Sequence, residues 1–346
     1  MKNFIIISGF AMTGKTVLTD IFKEFKDFKV PKHTFEFNML RIQGGLLDLQ
    51  NALVDDYSPI RADYAIKSFK KNVLKMGTVA KITDPKSLFI SNGMNYNEFF
   101  NNKFIDISNE YINNLIDFQH KSVWPYQSIN YSYFQQFYYR FIRFFLPNKI
   151  FLHKIYITKN NSFVKKTREY FLKLYNTIGD KNTKTYVLHN TVEPYNPSKS
   201  LNLFNDAKLI VVYRDPRDIY ASSKIKEEVY VPKFEVKNHW NLKSLITFSS
   251  DIDLFINRQK KIYSNISNFN SNKEVLYIRF EDIILNYDSS LNKIYKFLNL
   301  DSSIHHLKKK FFNPKLSVKN IGIWKKYPDQ SHITKIKNNF PELCYD

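Results

Sequence analysis

A few residues in this chain have types and spacings that suit chemistry. Gly9 is followed, after four intervening residues, by Gly14-Lys15-Thr16. Arg214 is followed by Ser222. Glu36 and His189 each stand just after a run of β-forming residues. Small residues let backbone N–H groups approach a ligand, and Lys and Arg add fixed positive charge. Such a set holds a phosphate or similar oxyanion, with a carboxylate or imidazole nearby to take a proton.

The elements that must position them are legible. Phe4, Ile5, Ile6 and Ile7 predict a short buried strand, ended by Ser8 and Gly9. Val17, Leu18, Ile21, Phe22 and Phe25 then recur at helical spacing. A strand turning through Ala11, Met12, Thr13 and Gly14 into a helix start aims unpaired N–H groups at one spot. Gly9 to Thr16 also satisfies the Walker A pattern. Which anion binds is left open by this stretch.

The 346 residues suffice for one large α/β domain, and 43% are apolar. Net charge is +20, which suits a polyanionic partner, although a Lys- and Asn-rich composition explains part of it. The basic residues are spread along the chain with no nucleic-acid motif, so no specific nucleic acid is expected. One cysteine, Cys344, excludes an intramolecular disulfide and multi-cysteine metal sites. No metal is expected. Neither a signal peptide nor a membrane-spanning run is visible, which reads as cytoplasmic.

Further along, 28–37 reads as a second extended segment, with Pro31 disfavouring a regular central strand. Residues 59–118 read as mostly helical. The stretch 131–157 mixes aromatics with Arg and Lys. It fits a buried helix plus a strand, a mobile acceptor-covering segment, or a peripheral membrane element. Strand character returns at 186–188, at 209–213 as a continuous apolar run, and in 273–300, each followed by helical pattern. Pro216 ends the 209–213 strand, and a helix is expected to begin near Asp218. The tail around 313–330 reads as a basic loop. This alternation predicts a three-layer α/β fold, a central parallel sheet flanked by helices, with ligands at the carboxyl ends of the strands.

Arg214 ends one strand and Ser222 lies on the next helix, so an Arg fork and a hydroxyl can share one phosphate. The alternative is a surface Arg paired with Asp215 or Asp218. The sequence RDPRDIYAS at 214–222 resembles the 3′-phosphate motif of PAPS-dependent sulfotransferases, the bacterial carbohydrate type included. Residues 11–16 are similar to that family's 5′-phosphosulfate loop: Thr13, Gly14 and Thr16 match. Lys15 stands where Thr is usual, and Met12 where a basic residue is usual. Arg279-Phe280-Glu281-Asp282 and the group Gly322, Trp324, Lys325 resemble two further family stretches. The resemblance covers 1–40 and 183–330. It implies a single P-loop-like domain over 1–346, with a largely helical insertion at 41–182 forming the acceptor side.

That resemblance implies PAPS (3′-phosphoadenosine 5′-phosphosulfate) as co-substrate, and transfer of its sulfuryl group to a hydroxyl or amine. The acceptor is expected to be a carbohydrate or glycolipid. Lys15 would stabilise the leaving group, and Glu36, ahead of His189, would be the base. The rival is a P-loop kinase or NTPase that takes the Walker A pattern at face value and offers Asp215 for Mg²⁺.

Overall fold

The computed structural model describes residues 2–31, 35–158, 162–226, 251–264 and 271–346. The chain divides into two compact units, one of residues 1–37 with 181–346, the other of 38–180.

The first unit is built on a five-stranded parallel sheet. In chain order the strands among the described residues are β1 (Asn3–Gly9), β2 (Phe28–Lys29), β3 (Ile116–Ser122), β4 (His153–Thr158), β5 (Thr185–His189), β6 (Lys208–Tyr213) and β7 (Val275–Arg279). The sheet runs β2-β5-β1-β6-β7. β1 is central, with Ile7 opposite His189 on one side and Ile210 on the other. Leu209, Ile210, Val211 and Val212 are wholly buried. A run buried on both faces is what a helix-covered parallel strand requires, so the expected α/β layering is what forms. One face packs Leu18, Ile21 and Phe22 of the first helix, Thr16–Phe22, against Ile5, Ile7, Val187 and Ile278.

Several local expectations shift. The first helix stops at Phe22, although Phe25 stays buried in the same core. The second extended segment pairs over Phe28–Lys29 alone, at the sheet edge. The helix after β6 begins at Pro216, two residues before the expected start. Proline at a helix's first position loses no hydrogen bond, so here it opens the helix. The expected basic loop of the tail is short helical turns, Pro314–Ser317, Val318–Asn320 and Ile323–Lys326, and then a helix, Gln330–Asn339.

Glu24 anchors that tail. Wholly buried, its carboxylate accepts from His305 Nε2 at 2.6 Å and from the backbone N–H groups of Lys309, Phe311 and Phe312 at 3.0, 2.8 and 2.9 Å. The His305 ring stacks on Phe25 at 4.3 Å. A buried carboxylate persists only when so satisfied.

The second unit packs helices Pro59–Gly77, Phe104–Leu115 and Phe163–Asn176 around Phe69, Tyr111 and Tyr170. Tyr111 and Tyr170 stack at 4.5 Å and bond Thr167 and Ser108 through their hydroxyls. β3 and β4 form an antiparallel pair. Between them lies a helix, Tyr133–Phe145, none of whose residues is buried. The expectation of a buried helix there fails, because its aromatic side faces outward. Among the described residues no helix is long and apolar enough to cross a membrane.

Candidate active site

β1, β5, β6 and β7 are parallel, so Gly9, His189, Tyr213 and Arg279 end on one edge of the sheet. The loop after β1 closes on itself: Thr13 Oγ1 donates to the Phe10 carbonyl at 2.9 Å, and Met12 takes a left-handed φ of 64°. Gly14 has φ +78°, and a Cβ there would stand 2.5 Å from the Phe280 ring. Glycine is therefore required by both dihedral and space. Thr16 opens the first helix. Lys15 Nζ donates to the carbonyls of Gly9 and Phe10 at 3.3 and 3.4 Å, which curls its ammonium back over the loop. Ala11 and Met12 are half-buried.

Arg214 joins this loop to two others. Its guanidinium donates to the Met12 carbonyl at 3.0 Å, to Ser222 Oγ at 3.2 Å and to the Asn320 carbonyl at 2.5 Å. It lies over the Phe280 ring at 5.0 Å. Asp218 stands 3.8 Å away. Only 6% of Arg214 is exposed, so it is not a surface arginine. Burial holds its pKa below the usual arginine value, against the pull of Asp218, Glu281 and Asp215. Among the described residues its buried Nε–H has no hydrogen-bond partner. A buried donor in that state suits an arriving anion.

Asp218 shapes the third loop. Buried, it accepts from the backbone N–H groups of Gly322 at 2.8 Å and Trp324 at 3.1 Å. Burial raises its pKa, with Arg214 and those two N–H groups opposing. Trp324 lies over the Arg217 guanidinium at 4.2 Å, and the Lys325 ammonium lies 5.6 Å from the Trp324 ring. Arg217 is in turn held by Asp215 and by Asp346. Gly322, Trp324 and Lys325 are thus tied to the helix that carries Ser222.

The kinase reading needed Asp215 for a metal. That carboxylate is buried and already accepts from Arg217 at 2.7 Å and from the Tyr345 N–H at 2.9 Å, so it faces away from any such role. Among the described residues no cluster of His, Cys, Asp and Glu is arranged to hold a metal ion.

The two base candidates sit together. Glu36 Oε1 accepts from Asn190 Nδ2 at 2.9 Å, and Asn190 directly follows His189. His189 is buried at the end of β5. Asn190 N–H donates to the Ile7 carbonyl at 2.7 Å, which locks this junction to β1.

Sequence reasoning missed several participants. Asp218 was weighed only as an ion-pair partner of Arg214. Asn190, Asn320 and Arg217 carry no role in the sequence reading, and Phe280 enters it only as part of the Arg279–Asp282 resemblance. Most of their partners lie more than 100 residues away, and only the repeated Arg-Asp spacing at 214–218 hints at them.

The model of the sulfotransferase domain family matches residues 138–335. The match contains His189, Arg214, Ser222, Gly322, Trp324 and Lys325, and it begins inside the 41–182 stretch for which no resemblance was read. The 11–16 loop and Glu36 lie outside it. No curated protein matches the sequence. Among solved structures, the sulfotransferase domain of the Synechococcus PCC 7002 olefin synthase is 12% identical, with coverage of 100% of this chain and 94% of that one and a TM-score of 0.37. A Mycobacterium avium sulfotransferase is also 12% identical, with coverage of 99% and 76% and a TM-score of 0.36. A mouse sulfotransferase complexed with PAP is 17% identical, with coverage of 47% and 70% and a TM-score of 0.33. These likenesses are remote; the family match spans more than half of the chain. The chain belongs to the sulfotransferase family and is a PAPS-dependent enzyme that transfers a sulfuryl group.

Proposed function

We propose that this sulfotransferase acts on a hydroxyl, or an amine, of a carbohydrate or glycolipid. The observation that carries the site assignment is the Arg214 fork, bonded at once to Met12 in the first loop and to Ser222. One rigid group thereby sets the spacing between a 3′-phosphate subsite at Arg214 and Ser222 and a 5′-subsite at Thr13, Gly14, Lys15 and Thr16. Gly322, Trp324 and Lys325 complete the nucleotide side. When bound, PAPS supplies the activated sulfuryl group.

The protein's own part is positioning and charge. Lys15 balances negative charge growing on the leaving phosphate, and Glu36 takes the acceptor's proton. The Asn190 amide orients Glu36 by donating to Oε1 at 2.9 Å. His189 is the second choice of base. A peripheral membrane contact through 131–157 fits a lipid-linked acceptor.

Incubation with radiolabelled PAPS and a panel of glycans and glycolipids tests this reading. Labelled product from one glycan class supports it. Tight, Mg²⁺-free binding of 3′-phosphoadenosine 5′-phosphate with transfer only to phenols or peptides would overturn the acceptor assignment and keep the family's chemistry.

A further inference from the structure

The helix Tyr133–Phe145 is amphipathic the wrong way round. Ser132 and Gln135 form a full capping box at its start, so its position in sequence is fixed. At 100° per residue, Gln136, Tyr139, Arg140 and Arg143 share the side toward the unit. There they line a cavity of about 540 Å³ with Tyr131 and His153. Tyr139 stacks on Tyr131 at 4.6 Å and meets Phe151 edge-on at 4.7 Å, which fastens the helix by that side. The opposite side carries a ridge of Phe134, Phe137, Phe141 and Phe145, flanked by Tyr133, Tyr138 and Phe144. All seven are exposed, Tyr133 by 94%, Phe134 by 87% and Phe144 by 80%.

A helix that packs on its own domain buries its apolar side and leaves charge to water. Here Arg140 and Arg143 stand on the cavity side yet stay exposed, and the aromatics face out. An apolar patch of this size marks a contact with something outside the chain.

Charge says what that something is. From Phe118 to Arg168 there is no Asp or Glu, while Lys121, Arg140, Arg143, Lys149, Lys154 and Lys159 lead nine basic residues. Among the described residues Arg140 and Arg143 form no ion pair. A second copy of this chain would bring like charge against like, which disfavours self-association through this face. An anionic bilayer offers both what the ridge needs and what the cations need: acyl chains for the aromatics and headgroup phosphates for Arg140, Arg143 and Lys149.

We propose that the Tyr133–Phe145 helix seats this protein on the surface of an anionic membrane, lying in the interface with its phenylalanine ridge down. The inference goes beyond the transfer reaction and stands without it.

Co-sedimentation of the full chain with vesicles tests it. Vesicles of phosphatidylcholine with phosphatidylglycerol are expected to bind the protein, and added salt to release much of it. Vesicles of phosphatidylcholine alone are expected to bind far less. Phe137→Ser and Phe141→Ser are each expected to weaken partitioning about tenfold, as loss of a buried aromatic does. Arg140→Gln and Arg143→Gln are each expected to weaken it about fivefold. These side chains are exposed, and unchanged binding of 3′-phosphoadenosine 5′-phosphate would show that the variants are folded. No vesicle binding by the wild type overturns the proposal. So does binding indifferent to lipid charge, or self-association abolished by the Phe variants without vesicle binding.

Discussion

The Arg214 guanidinium donates to the Met12 carbonyl at 3.0 Å, across 202 positions of sequence. The same nitrogen reaches Ser222 at 3.2 Å. Replacing Arg214 with Ala removes a fork that serves three acceptors. Affinity for 3′-phosphoadenosine 5′-phosphate, measured by calorimetry, is expected to fall about 10- to 100-fold, the range of lost charge-assisted bonds. Lys at this position recovers little, because one ammonium cannot reproduce the fork. Ser222→Ala costs less, about fivefold.

With Glu36 as the proposed base, its contact with Asn190 lets binding and chemistry be tested apart. Glu36→Gln is expected to lower kcat by about 100-fold or more while nucleotide affinity holds. Asn190→Ala, which removes one hydrogen bond to the carboxylate, is expected to give a smaller loss of kcat. Wild-type turnover in Glu36→Gln, with loss in His189→Ala, would move the proton acceptor to the imidazole.

Gly14→Ala meets both a left-handed dihedral and the Phe280 ring. A loss of about 1–3 kcal/mol in stability is expected from denaturant titration, with weaker nucleotide binding. Adding Phe280→Ala relieves the contact but not the dihedral, so the double variant regains only part of the binding.

Glu281 gives a pH signature. Burial pushes its carboxyl up to about 7, although the Asp215 N–H donates to it at 3.0 Å. Its ordinary value is 4.5. A carboxyl raised in the fold favours the folded state fully below that ordinary value, and the advantage is lost as pH rises through about 7. Glu281→Gln keeps an oxygen for the Asp215 N–H and cannot ionise. Its Tm is expected to exceed the wild type's near pH 8 and to approach it near pH 4.

Glu24 lies under the tail that leads to the third loop. Glu24→Gln puts an amide among donors from His305, Lys309, Phe311 and Phe312. About 3–5 kcal/mol of stability is expected to be lost in denaturant titration, as when one partner of a buried charged network is removed.

What could be read in advance follows from range. The β1 strand, its glycine-lysine turn and the Arg-to-Ser spacing are local, so neighbouring residues betray them. The continuous apolar run at 209–213 likewise announces a strand covered on both faces. The Asp218 bonds to Gly322 and Trp324 span more than 100 residues, and no local pattern encodes them. Glu281 reads as part of an acidic turn, yet the helix Phe280–Leu285 starts directly after β7 and buries it. The outward aromatics of 133–145 leave several readings open in the sequence for a different reason. Periodicity gives the direction of an apolar side relative to its helix, but not which side the rest of the chain covers.

Phe280 touches both Gly14 and the Arg214 guanidinium and carries no charge of its own. It stands as a hydrocarbon shim between the Gly14 turn and the Arg214 fork. With the two proposed phosphate subsites on either side of it, ring thickness sets the gauge of the cradle, so either half can change its polar groups without drifting from the other. A selectivity change between adenosine donors of different length is therefore to be sought at this ring before it is sought among the charges.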